Sequence, residues 1–161
     1  MWRFSALIYC AIFAERVFAR STGAGSCVSC SSYTHGKDAT PGTGGYEIGI
    51  DWGELGASAR LTVAGTSPFK GVLIYTNQGH FEKPLAADLH FKDCSLVGRE
   101  LHQTVTHGSP ATKASVEVSL HLPQGAAAAA GPVVVNVVIL RSFQTWFWLN
   151  ATVGDHPHAY L

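Results

Sequence analysis

Charge is scarce in this chain. Asp, Glu, Lys and Arg make up 14% of its 161 residues and sum to a formal net charge of zero. Disordered chains usually carry more charge and less apolar surface, so the composition argues for a packed domain. A balanced charge also excludes a polycation, and with it strong electrostatic capture of nucleic acid or anionic lipid. Long apolar runs are missing as well. Phe4 to Ala14, apolar apart from Ser5, is shorter than the roughly 20 residues that span a bilayer. Neither H-E-x-x-H nor G-x-S-x-G occurs. The zinc-protease helix and the hydrolase nucleophile elbow are therefore excluded. Beyond residue 19 no segment repeats with helical period.

The apolar N-terminal run has the setting of a secretory signal peptide. Met1-Trp2-Arg3 is a short basic start, and Val17-Phe18-Ala19 suits a cut after Ala19, with Ala24 as an alternative. Residues 1–19 are read as that signal. Their removal takes Arg3, Arg16 and Glu15, so basic residues fall from 11 to 9 and acidic from 11 to 10, leaving a net charge of −1. The remaining 142 residues suit one domain with one core. Secretion implies an oxidising compartment. Cys10 leaves with the signal, and Cys27, Cys30 and Cys94 remain. One disulfide and one spare thiol are expected. Cys27–Cys94 or Cys30–Cys94 would each contribute roughly 4 kcal/mol of chain entropy, so loop length does not choose between them.

Short alternating segments run through the rest. Tyr46–Ile50 reads as a strand, as do the residues around Leu61 and Val63. Gly65-Thr-Ser-Pro68 reads as a turn, followed by one strand, Phe69–Thr76, in which Gly71 marks a bulge or a close approach. A short strand is expected near Leu89–Phe91. Val116, Val118, Leu120 and Leu122 alternate with Ser115, Glu117, Ser119 and His121, the pattern of a half-buried strand. His102 and His107 bracket an apparent strand, and the stretch from Val105 to Lys113 reads as turn and strand entry. Val133–Leu140 is apolar on both faces apart from Asn136, as a central strand should be. Seven or so short strands with turns between them predict an all-β, immunoglobulin-like antiparallel β-sandwich.

Reactive-looking residues are plentiful, but none forms a specific motif. Cys27-Val-Ser-Cys30 has redox or zinc spacing, yet a Ser/Tyr/Thr/His loop follows it instead of a helix. The Gly42–Gly45 cluster enters a strand, so it is turn chemistry rather than a dinucleotide fingerprint. Ser109 sits in a Gly-Ser-Pro turn. His107 and the other histidines read as hydrogen-bonded structural residues or, at His156 and His158, as a tail. No catalytic residue, metal site or cofactor is expected. Asn150-Ala-Thr152 is an N-glycosylation sequon, which puts Asn150 on the surface of a secreted chain.

Taken in order, these residues resemble the reeler domain family. The resemblance rests on Cys27 and His35, Pro41 and Tyr46, Phe69-Lys-Gly71, Gly79-His-Phe81, Cys94, Val105-Thr-His107, Lys113, the strand ending at Pro123, Gly131 to Val133, and Trp146 with Trp148. It covers residues 25–149, with 150–161 as a C-terminal tail. It implies an immunoglobulin-like sandwich and a Cys27–Cys94 disulfide that leaves Cys30 free. Leu120 stands where many members carry Trp. The resemblance also implies a secreted, extracellular, non-enzymatic protein that binds extracellular ligands or microbial surface glycans in innate defence. The alternative is a docking module cut from a longer ferric-chelate reductase 1-like or matrix protein. On either reading His107 and Lys113 mark the family and hold a loop.

Overall fold

The structure, a computed structural model, describes residues 24, 27, 39–53, 57–124 and 131–153. The signal segment 1–19, Cys30, His35, the alanine run and the histidines at 156 and 158 lie outside the described residues.

Nine strands are described: β1 (Tyr46–Trp52), β2 (Ser58–Phe69), β3 (Gly71–Thr76), β4 (His80–Phe81), β5 (Leu89–Phe91), β6 (Thr104–His107), β7 (Lys113–His121), β8 (Val133–Ser142) and β9 (Thr145–Val153). They form a four-stranded sheet in the order β1-β2-β7-β4 and a five-stranded sheet in the order β5-β6-β3-β8-β9. Every pairing is antiparallel. The described residues contain no helix long and apolar enough to cross a membrane.

Alternation sets the faces. In the first sheet Leu61, Val63, Val116, Val118 and Leu120 point inward and are buried. Val72, Ile74, Val105, Val135, Val137, Ile139 and Phe147 meet them from the second. Each such side chain contributes about 1.5–3 kcal/mol on full burial. Tyr46 closes one end of this core, 5.9 Å edge-on to Phe69 and 5.5 Å from Phe147. Burial raises the Tyr46 hydroxyl above its ordinary pKa, and nearby Arg141 partly offsets this.

All six residues of β3 are buried, because its sheet is covered on both sides. Leu73, Tyr75, Val138 and Trp146 form a second cluster on the outer face, under Ala24 and Ala39. That layer explains why β8 reads apolar on both faces. It also brings the N-terminal segment onto the sheet.

The structure corrects four expectations. Residues 65–68 are not a turn: β2 continues to Phe69, advancing from Ala64 to Phe69 while β7 steps only from Ser115 to Lys113. The extra residues bulge the strand, as happens where a chain bends toward another sheet. Phe69–Thr76 is not one strand, since the chain changes sheets at Lys70. Val105, Thr106 and His107 belong to the strand Thr104–His107, and the turn is confined to the residues between it and Lys113. Asn150 lies in β9, which runs to Val153, so the tail does not begin there.

Candidate binding surface

The stretch from Thr106 to Lys113 carries the densest set of functional-looking side chains, and the structure buries them. Leu73↔Thr106 is the last backbone rung between β3 and β6. His107 extends the ladder with its side chain, since Val72 N–H donates to Nδ1 at 3.2 Å. Nδ1 also lies 3.1 Å from the Val72 carbonyl, so the ring tautomer sets whether it accepts from the Val72 N–H or donates to the Val72 carbonyl. The ring fits because residue 71 is glycine: a Cβ there would lie 3.0 Å from His107 Cε1 and 3.2 Å from Leu140 Cβ. Thr106 Oγ1 donates to the Val72 carbonyl at 3.0 Å and accepts from Ala24 N–H at 2.9 Å. A signal cut after Ala24 would delete that donor.

Lys113 is 6% exposed. Its ammonium donates to the carbonyls of Ala111 at 2.7 Å, Ser109 at 3.1 Å and Lys70 at 3.5 Å. Asp88 Oδ2 lies 3.2 Å away and balances the charge. A lysine spent on three carbonyls and a carboxylate ties the Ser109–Ala111 turn to the β2–β3 crossing. It offers no free base or nucleophile. His107 and Lys113 therefore position backbone, in agreement with the sequence reading.

The loop after β5 differs in kind. Cys94 is bonded to Cys27, with Cα atoms 5.5 Å apart. Cys94 opens a single 3₁₀ turn, Ser95–Val97, which Gly98 closes in the left-handed region at φ 77°. Val97 N–H donates to the Cys94 carbonyl at 3.1 Å, and Gly98 N–H to that of Ser95 at 2.9 Å. Asp93 Oδ1 accepts from Ser95 N–H at 2.9 Å. The backbone and side-chain bonds from Ser95 hold the Asp93 carboxyl below its ordinary pKa. Arg99 lies over the Tyr75 ring, 3.8 Å from its centroid, and donates from Nη1 to the Cys27 carbonyl. Burial lowers the Arg99 pKa, and the electrostatic influence of the neighbouring Tyr75 opposes this. Arginine nevertheless stays protonated at neutral pH.

This rigid loop holds aliphatic side chains in water. Leu96 is 101% exposed, Leu101 70% and Val97 42%. A single exposed aliphatic residue is ordinary, whereas several on one braced loop mark an interaction surface. Sequence reading singled out Cys94 and passed over Asp88, Arg99, Leu96, Val97 and Leu101. The only available signal was Leu96-Val97 before Gly98 in an otherwise polar loop.

Two other places hold polar side chains. His80 and His121 lie ring to ring at 4.9 Å, with His121 Nδ1 3.5 Å from Glu82. Among the described residues no group of three or more His, Cys, Asp or Glu could hold a metal ion. A shallow cleft of about 230 Å³ is lined by Asp51, Trp52, Arg60 and Ser119. It is smaller than a typical small-molecule site.

The family model for the reeler domain matches residues 26–156. The chain belongs to the reeler domain family. Solved structures agree on the fold. The Reelin-N domain of F-spondin superposes with a TM-score of 0.58 at 16% identity, over 73% of this chain and 91% of that one. A first fragment of the human F-spondin reeler domain gives 0.57 at 17%, over 73% and 93%. A second gives 0.57 at 17%, over 75% and 94%. Among curated proteins none matches the sequence significantly. In this reeler domain the resembling motifs converge. Phe69, Gly71, His107 and Lys113 meet where the chain crosses between sheets, and the Cys27–Cys94 disulfide forms as the resemblance implies. Leu120, in place of the Trp of many members, is fully buried.

Proposed function

We propose that this reeler domain is a secreted, non-enzymatic binding module that engages microbial envelope surfaces through the loop Ser95–Leu101. The observation that carries this reading is the disulfide-anchored loop itself, which keeps Leu96, Val97 and Leu101 exposed. A disulfide supports an oxidising, extracellular setting. With a chain charge of zero, aliphatic contact rather than charge attraction is the means of binding. Such contact survives salt that screens surface charges.

The test is co-sedimentation of the purified mature protein with bacterial envelopes at 0.15 and about 1 M salt, beside an unrelated β-sandwich. Binding should exceed the control at both salt levels. Leu96→Asp with Leu101→Asp should abolish it without changing the melting temperature, since both side chains already face water. Binding equal to the control, or unaffected by the double substitution, would refute the reading.

A further inference from the structure

The outer face of β9 carries Trp146, Trp148, Asn150 and Thr152 in alternation. Trp146 is buried under the N-terminal segment, whose Thr40 N–H donates to the Trp146 carbonyl at 2.8 Å. Among the described residues no other backbone bond of this kind covers the strand. Trp148 is 40% exposed, and Asn150 and Thr152 are exposed. Among the described residues β9 is also an outer strand of its sheet, with β8 as its one strand neighbour. An outer strand of nine residues needs protection from edge-to-edge pairing.

Asn150 and Thr152 are the two determining residues of the sequon. Strand period places both on one face, here toward solvent. Trp148 lies on that same face, two residues before Asn150, at a Cα distance of about 6.7 Å. A pyranose linked to Asn150 can lie back over the indole at that spacing. The C–H face of N-acetylglucosamine is apolar and slightly positive, and it complements the negative π face of an aromatic ring. The cross-strand neighbour of Trp148 is the buried Val138, an apolar residue of the same outer face.

We propose that Asn150 carries an N-linked glycan whose first N-acetylglucosamine packs on Trp148 and shields the outer edge of β9. The inference rests on the secretion reading above. In the transfer, Nδ2 of Asn150 attacks C1 of an N-acetylglucosamine held on a lipid pyrophosphate. The C1–O bond breaks, the lipid pyrophosphate leaves, and the Nδ2 proton passes to a base in the transferase. Trp148 is a positioning platform for the product and takes no part in the chemistry.

The experiment expresses the full chain in eukaryotic secretory cells and treats it with a peptide N-glycosidase. The secreted protein should lose mass on treatment, peptide mapping should place the change at Asn150, and Asn150→Gln should be insensitive. The glycan should raise the melting temperature of the natural protein by roughly 2–4 °C. That gain should vanish in Trp148→Ala and persist in Trp148→Phe. Acrylamide quenching of tryptophan in the natural protein should increase on deglycosylation, a readout that needs no variant. A secreted, unmodified chain overturns the proposal and leaves the secretion reading standing. An unmodified chain confined to the cytosol overturns both. A glycan whose removal changes neither melting temperature nor quenching overturns the role of Trp148.

Discussion

Replacing Lys113 with Met separates two accounts of a buried lysine. Met keeps the length and apolar stem and deletes the ammonium. The deletion strips a hydrogen-bond partner from the carbonyls of Lys70, Ser109 and Ala111 and leaves Asp88 unpaired. These losses are unequal. Ala111 is exposed and Ser109 partly so, so both carbonyls can turn to water. The Asp88 side chain is 36% exposed, so its carboxylate resolvates at a cost of about 1 kcal/mol or less. The larger loss is the tie between the turn and the β2–β3 crossing. Charge-assisted bonds of this kind contribute about 1.5–3 kcal/mol net. The expected total is about 2–3 kcal/mol, which for a domain of this size lowers the melting temperature by roughly 7–10 °C. Asp88→Asn should cost about 1 kcal/mol or less. Urea and thermal melts of the two variants check both values. Buried ion pairs can sometimes be replaced by apolar residues at no cost. If Lys113→Met melts with the natural protein, desolvation has cancelled the bonds and the anchoring argument fails.

Two further predictions concern the exposed loop. Replacing Cys27 and Cys94 together by Ala opens a loop with a sequence separation of 67 and should cost about 4 kcal/mol in denaturant melts; it should also remove envelope binding. Peptide mapping that joins Cys30 to Cys94 would contradict the pairing. The Asp93 carboxyl titrates below its ordinary 3.8, so its hold on Ser95 is in place above that pH and is lost as pH falls through the lower folded value. Hydrogen exchange at the Ser95 amide, corrected for its intrinsic pH dependence, should show protection falling below about pH 4, and Asp93→Asn should remove that pH dependence.

Legibility in the sequence followed solvent exposure. The strand from Lys113 to His121 was readable because one face is wet, and its inward residues Val116, Val118 and Leu120 are those the alternation names. The central strand Val133–Leu140 was readable as an unbroken apolar run. Asn150 and Cys94 were readable as motif residues. Thr104–His107 was legible only as an apparent strand between His102 and His107. All four residues are buried, but three are polar, so no apolar face announces it. Thr106 Oγ1 finds its partners at Val72 and Ala24, 34 and 82 residues away, where no local pattern reaches. The change of sheet at Lys70 was hidden for a related reason: period is a property of one strand and says nothing about which sheet the strand joins.

The sequence by itself determined the all-β sandwich class, the inward face of the strand Lys113–His121 and the cysteine that pairs with the N-terminal segment. Local alternation and a recognisable order of motifs carry that much. Tertiary structure alone decided what the polar residues do. It turned His107 into a rung of a ladder and Lys113 into a clamp, and it left Leu96, Val97 and Leu101 in water beside the disulfide. A hydrogen bond or an exposed patch depends on neighbours brought together by folding, and those neighbours are distant in the chain.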